Sequence, residues 1–445
     1  MKILRVEEMG RAAILKLLQK PPFDQITLSA AIRKRNHELF GEDLTAEALV
    51  QRIVNDVRTE GDKALTLYTE MFDGALLKPA DFLVPEEAFQ KAEQEADPAV
   101  VASLQKAVVN IRRYHQEQKQ NSWFTYRPQG AMLGQIVHPL ERVGIYVPGG
   151  TAAYPSSVLM NAIPASVAGV QEIIMAAPTR GDAYNPYVLL AAKIAGVSKV
   201  YRLGGAQAIA ALAFGTETIP KVDKITGPGN LFVTLAKKAV YGHVDIDMLA
   251  GPSEICIVAD DSANADYAAA DMLSQAEHDV LASSILLTNS ERLATAVANQ
   301  LDDRMAKLPR AKIMQESLKR NGRIVLTSTL AEAIDFANHA APEHLELLTQ
   351  EPFRLLPQIH HAGAIFLGAY SPEPLGDYLA GPDHVLPTGG TARYASVLNV
   401  ETFMRRTSLI SYTPEALRSD AADIIRLAQA EGLQAHAEAI RERGK

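Results

Sequence analysis

The chain has a single cysteine, Cys256, in 445 residues, so an intrachain disulfide framework and a cysteine-rich metal cluster are both excluded. That cysteine lies in Glu254-Ile-Cys-Ile-Val-Ala259, an apolar run that reads as a strand, where a thiol packs rather than reacts. Positive charge is not in excess either: a formal net charge of −8 argues against a nucleic-acid or anionic-membrane partner. No run approaches the roughly 18 apolar residues of a spanning helix. The opening Met1-Lys-Ile-Leu-Arg-Val-Glu-Glu8 mixes charge into every short apolar stretch, unlike a signal-peptide core, and a cytoplasmic protein is expected. There is no strict internal repeat. The dinucleotide fingerprint Gly-x-Gly-x-x-Gly is missing as well, because Gly227-Pro-Gly229 continues with Asn-Leu-Phe.

What is present is ordinary globular material, 47% hydrophobic and 22% charged, in a chain too long for one core. Residues 1–25 read as a short polar-apolar arm. Thr45 can cap a helix whose Val50, Ile53, Val54 and Val57 share a face, and Asp97-Pro98 opens a second with the stripe Val101, Leu104, Val108 and Ile111. From about Met132, short apolar runs alternate with helical segments: strands near 135–138, 142–148, 172–177, 199–203 and 222–226, helices near 157–169, 187–195, 206–214 and 231–241. The alternation resumes after Gly251, with strands near 255–259, 284–287, 323–326, 345–348 and 364–367. Strand and crossover helix in repetition predict an α/β fold of two doubly wound, incompletely Rossmann-like parallel-sheet domains. The site is expected where their strand ends face each other. Beyond about Leu398 the pattern turns helical and amphipathic, a tail that needs something to dock on.

Polar residues gather at a few places. Gln275 and His278, three apart in a helical stretch, point the same way, as a metal or substrate grip requires; a buried imidazole satisfied by a neighbouring amide fits the same spacing. Pro342-Glu343-His344 sets a carboxyl beside an imidazole just before a strand, a pair suited to proton transfer at neutral pH. Gly376-Asp377-Tyr378 and Gly381-Pro-Asp-His384-Val-Leu-Pro-Thr388 occupy a stretch unusually polar for a connector, and His436 in the tail is a further candidate. His37, His115, His138, His243, His339, His360 and His361 lack such company and read as structural or surface residues. Glycine-rich turns follow the early strands at 146–150, 204–207, 227–230 and 251–253 and suit either tight strand-to-helix connections or the close approach of a nucleotide.

Taken together, Gly144-Ile-Tyr-Val-Pro-Gly-Gly150, Gly204-Gly-Ala-Gln207, Lys224-Ile-Thr-Gly-Pro-Gly-Asn230, Ala250-Gly-Pro-Ser-Glu254, Leu273-Ser-Gln-Ala-Glu-His278, Pro342-Glu-His-Leu345 and His384-Val-Leu-Pro-Thr388 resemble, in order, the histidinol dehydrogenase family. The resemblance implies oxidation of L-histidinol through L-histidinaldehyde to L-histidine with two NAD, the last step of histidine biosynthesis. It implies one Zn2+ per subunit held by Gln275, His278, Asp377 and His436, and a catalytic pair in which His344 takes the alcohol proton and Glu343 activates water for the aldehyde step. Ser253, His384 and Glu431 match substrate-contacting positions, with Gln275, His278, His344, Asp377 and His436 also reaching the substrate; Tyr146, Gln207 and Asn230 match cofactor contacts. A homodimer with the site shared across the interface is implied too. So is a division into residues 1–25, a substrate and zinc domain of 26–145 with 251–397, an NAD domain of 146–250, and a helical tail of 398–445 making dimer contacts. A zinc-dependent hydrolase using the same cage, or a scaffold holding zinc for structure alone, would share many of these residues.

Overall fold

A computed structural model describes residues 1–20, 30–149, 153–179 and 183–444. Residues 21–25 of the expected arm and Gly150 of the first glycine turn lie outside them. The strands, in chain order, begin with β1 (Ile3–Arg5), β2 (Trp123–Tyr126), β3 (Met132–Pro139), β4 (Arg142–Tyr146), β5 (Glu172–Ala176), β6 (Lys199–Tyr201) and β7 (Lys224–Thr226). They continue with β8 (Asp245–Ile246), β9 (Glu254–Ala259), β10 (Ser283–Thr288), β11 (Arg323–Leu326), β12 (His344–Leu348), β13 (Ala364–Leu367) and β14 (Met404–Ser411).

Two parallel sheets result, as the alternation predicts. One runs β6-β5-β4-β7-β8 and the other β1-β11-β10-β9-β12-β13. Strands β4 and β9 lie in the middle of their sheets, with the next two strands stepping outward on one side and the following two on the other, and β1 is added at the outer edge of β11. That is doubly wound order, with the switch between β4 and β7 in the first sheet and between β9 and β12 in the second. The central strands β9 and β10 are buried at every residue, as expected of strands covered on both faces.

The helices show which sheet each apolar stripe serves. Thr45 caps helix Ala46–Glu60 by accepting from the Ala48 amide, and Val50, Ile53, Val54 and Val57 are buried with Ile209, Leu212 and Ile225 on one face of the five-stranded sheet. Helix Pro98–Gln116, capped by Asp97, lies over the opposite face with Val143, Ile145 and Leu159. By packing, then, both helices cover the five-stranded sheet, and helix Pro98–Gln116 also meets Val385 of the later stretch. Periodicity identifies an apolar face but says nothing about which sheet will cover it.

Three expectations change. The first residues are not an arm ahead of the core: β1 pairs with β11 at the edge of the six-stranded sheet, and Ile14 and Leu18 are buried with Cys256 and Phe336. The run 135–138 is part of β3, which belongs to a separate antiparallel sheet, β14-β3-β2. The tail is helical only from Pro414, because β14 precedes it and pairs with β3 over eight residues. No helix among the described residues is long and apolar enough to cross a membrane.

Candidate active site between two sheet edges

The sheet order brings together stretches far apart in sequence. Tyr146 ends β4, Gly227 follows β7, and Gln207 lies in the first turn of helix Gly205–Phe214 after β6, so all three meet the carboxyl edge of the five-stranded sheet. The six-stranded sheet contributes its amino edge, for Glu254 and His344 are the first residues of β9 and β12, paired across His344 and Ile255. The chain passes from one edge to the other through Gly251-Pro-Ser253, with the Gly251 amide donating to Thr388 Oγ1 at 2.5 Å. A ligand site at a carboxyl edge is usual for such sheets; the amino edge as its other wall is particular to this arrangement.

Glu343 and His344 are buried and held by one residue's backbone. Helix Leu330–Ala340 is stopped by Ala341, whose left-handed backbone (φ 45°) is unusual for a residue with a side chain and swings the chain into Pro342-Glu343-His344. The Glu254 amide donates to Glu343 Oε2 at 2.7 Å, and His344 Nδ1 lies 2.9 Å from the Glu254 carbonyl oxygen. A carbonyl can only accept, so Nδ1 carries the proton and Nε2 keeps its lone pair, without a partner among the described residues. Burial pushes His344 down to about 3, with His278 and His384 adding to the effect, and it is neutral at neutral pH. Burial pushes the Glu343 carboxyl the other way, well above its usual range, against the Glu254 amide that it accepts from and with the negative charges of Glu254 and Asp377.

Beside this pair is a candidate metal centre. His278, Glu373 and Asp377 present ligand atoms all within 4.8 Å of one another. Helix Ala265–Ala276 ends just before His278, which occupies the following turn with its amide on the Gln275 carbonyl at 3.3 Å, so the pair does not continue one helical face as expected. Gln275 is fully buried, its Oε1 3.1 Å from His344 Nδ1. Asp377 sits not in a loop but in helix Glu373–Tyr378, one turn after Glu373. Ser274 Oγ donates to Glu373 Oε2 at 3.1 Å, while Oε1 of the same carboxyl has no hydrogen-bond partner among the described residues. Burial, and the neighbouring Asp377, raise Glu373 to about 8; burial raises Asp377 to about 6. One imidazole and two crowded carboxylates that resist ionising together are a donor set that a divalent cation of borderline hardness would neutralise. Glu373 was not anticipated from the sequence, although Glu373 and Asp377 have the i, i+4 spacing of one helical face.

The remaining candidates divide into two groups. His384 is half-buried and pushed down to about 4 by burial and by His278, which places it in the same pocket; Ser253 is half-buried immediately before β9. Glu431 and His436 are exposed on the C-terminal helices and do not join the His278 group within this chain. At the carboxyl edge of the five-stranded sheet, Gln207 is buried with neither side-chain polar atom partnered among the described residues, beside Gly205 at φ 65°. Such an orphaned amide at a helix N-terminus fits a polar ligand bound across the turn. Tyr146 is buried, its hydroxyl accepting from the Gly205 amide at 3.1 Å, and Asn230 caps helix Leu231–Val240.

The Gly227 turn is held at both ends by a buried ion pair. The Gly227 amide donates to Asp247 Oδ2 at 2.7 Å, Lys237 Nζ donates to the Gly227 carbonyl at 3.0 Å, and Lys237 also bonds Asp247. With φ at 116° and only 2.1 Å between a would-be Cβ and the Tyr146 carbonyl, the position admits glycine alone. Lys237→Met would leave Asp247 buried and unpaired, so urea unfolding should show a loss of about 3 kcal/mol. A midpoint unchanged from the parent chain would mean that the pair contributes nothing to the turn.

Comparison with known proteins agrees with the geometry. The family model described as Histidinol dehydrogenase matches residues 35–444. A histidinol dehydrogenase of Heliobacterium mobile is 54% identical over 400 residues, 90% of this chain and 94% of that protein. One from a strain of Bacillus cereus is 53% identical over 399 residues, 90% and 92% of the two chains. The crystal structure of histidinol dehydrogenase from Elizabethkingia anophelis superposes with a TM-score of 0.89 at 35% identity, covering 98% of this chain and 96% of that one.

Proposed function

The chain belongs to the histidinol dehydrogenase family, and on that premise we propose that it oxidises L-histidinol through L-histidinaldehyde to L-histidine with two NAD, as a cytoplasmic enzyme closing histidine biosynthesis. The observation that carries the reading is the buried pair Glu343 and His344 set beside the His278, Glu373 and Asp377 donors, opposite a glycine-lined sheet edge. His278 and Asp377 would hold zinc, with Glu373 as a ligand or immediate neighbour and Gln275 at hand; zinc when bound would orient the substrate's amine and imidazole nitrogens. NAD when bound would accept hydride, with Gln207, Asn230 and Tyr146 at its wall.

Within the chain, the roles follow from the proton positions. His344 Nε2 has the free lone pair and takes the alcohol proton during the first oxidation. Glu343, once ionised, takes a proton from water as its oxygen adds to the aldehyde carbon, and the resulting diol loses hydride in the second oxidation. His384 and Ser253 complete the substrate pocket. We infer that the tail of a second subunit delivers Glu431 and His436 to this pocket, making a homodimer with shared sites. Light scattering that finds a monomer active on histidinol would remove that part of the reading.

Many aldehyde-oxidising enzymes form a thiohemiacetal on cysteine. Here Cys256 is fully buried in β9 and burial pushes its thiol up to about 12, so no thiolate is on offer. Cys256→Ala should therefore keep both oxidations within about twofold while lowering stability by about 1 kcal/mol. Loss of the second oxidation alone in that variant would overturn the hydrate route. The overall reading is tested by counting two NADH per histidinol, abolished by a chelator and restored by zinc; a zinc hydrolase would give no NADH signal.

A further inference from the structure

One buried polar pair outside the reacting groups contacts the loop that carries His384. His115, read from the sequence as a structural histidine, is fully buried near the end of helix Pro98–Gln116, with Nδ1 2.9 Å from the Ile111 carbonyl oxygen. Its Nε2 lies 3.7 Å from Asp383 Oδ2, beyond hydrogen-bonding distance, and neither atom has a hydrogen-bond partner among the described residues. Asp383 is itself buried and precedes His384; its Oδ1 accepts from the Val385 amide at 2.8 Å. Two more contacts fix the same loop to the same helix. Asn110 Nδ2 donates to the Leu379 carbonyl at 2.8 Å, and Gly381, at φ 115°, lies so close that a Cβ would come within 2.9 Å of the Asn110 carbonyl oxygen.

We propose that His115 and Asp383 are positioning residues, a buried polar pair that, with the Asn110 and Gly381 contacts, lets helix Pro98–Gln116 set the 379–385 loop and so fix the His384 imidazole against the substrate. The Ile111 carbonyl requires a proton on His115 Nδ1, which leaves a lone pair on Nε2 directed at a carboxyl oxygen. Two acceptors this close in a dry interior repel, so the pair is favoured when it shares one proton, as a carboxylic acid beside a neutral imidazole or as an imidazolium beside a carboxylate. Either state leaves the pair with no net charge. Burial and the carboxylate of Asp247 favour the protonated acid, and burial favours the neutral imidazole. Asp247 is the residue that grips the Gly227 turn, so the clamp lies within electrostatic reach of the support of the proposed cofactor wall while itself acting on the substrate wall.

The inference rests on the proposed function for what His384 touches, and the experiment separates the two. Asp383→Ala should raise the KM for histidinol at least tenfold while the KM for NAD stays within about twofold, because the loop, not the glycine turns, loses its anchor. Asp383→Asn retains an acceptor for Val385 and supplies an amide hydrogen to His115 Nε2, so it should restore the histidinol KM to within about threefold of the parent. Asn110→Ala, which removes only the Leu379 contact, should give an intermediate rise and serves if Asp383→Ala does not fold. The clamp is refuted if Asp383→Ala moves both KM values together, if it lowers the thermal midpoint with no change in KM, or if Asp383→Asn is as impaired as Asp383→Ala. A parent protein without any histidinol-dependent NADH formation would instead refute the functional reading.

Discussion

Glu343→Gln should form one NADH per histidinol instead of two, with histidine production down about a hundred- to ten-thousand-fold, the usual contribution of a general base. The substitution isolates a single property. A glutamine carbonyl can still accept the Glu254 amide that now binds Oε2 at 2.7 Å, so the turn and the neighbouring His344 are kept in place, but the side chain can no longer take a proton. The alcohol step, which uses His344 Nε2, continues and histidinaldehyde accumulates. The direction of the carboxyl's titration adds a second signature. Burial raises Glu343, so its basic form appears only as pH climbs through that raised value, and oxidation of supplied histidinaldehyde should quicken over the same range. In Glu343→Gln this pH dependence should vanish along with the rate. A zinc hydrolase would lose its whole activity in the same variant and a scaffold would lose nothing measurable, so the one-NADH outcome is specific to the two-step enzyme. Retention of two NADH at the parent rate would remove Glu343 from the mechanism.

The inner parallel strands of both sheets could be recognised because each is a short apolar run near glycine or proline, and because repetition with crossover helices leaves few topologies. The strands that escaped notice lack that signature. β14, Met-Arg-Arg-Thr-Ser-Leu-Ile-Ser, is largely exposed and finds its order only by pairing with β3, and β1 spans three residues at a sheet edge. Glu373 was hidden for a different reason: Glu373-Pro-Leu-Gly-Asp377 contains the two residues that usually break helices, yet proline here occupies a tolerated first-turn position. Glu254 acts on Glu343 and His344 through its main chain, for which no side-chain pattern exists. His115 stands in no motif of the sequence, because the carboxyl nearest its Nε2, that of Asp383, is brought to it by the fold. Motifs reveal which groups have chemistry, whereas what holds those groups depends on contacts between distant segments.

His278→Ala should abolish histidinol oxidation and reduce bound metal from one ion per chain to near none by elemental analysis, since it removes the only imidazole of the His278, Glu373 and Asp377 group. The carboxylates left behind make the metal's removal visible in stability as well. Without a cation, Glu373 titrates at about 8 and Asp377 at about 6, both above their unfolded values of roughly 4. A folded-state value raised above the unfolded one means that the native chain holds extra protons: the stability this gives is complete below about pH 4 and drains away as pH rises through about 6 and then about 8. Chelated enzyme should thus show a thermal midpoint that falls between pH 6 and pH 8.5. Zinc-loaded enzyme should not, because the ion takes the place of those protons, and for the same reason zinc affinity should increase across this range. If chelated and loaded enzyme lose stability with pH in parallel, the carboxylates are not at the metal, and the group built on His278 is a hydrogen-bonded cluster instead.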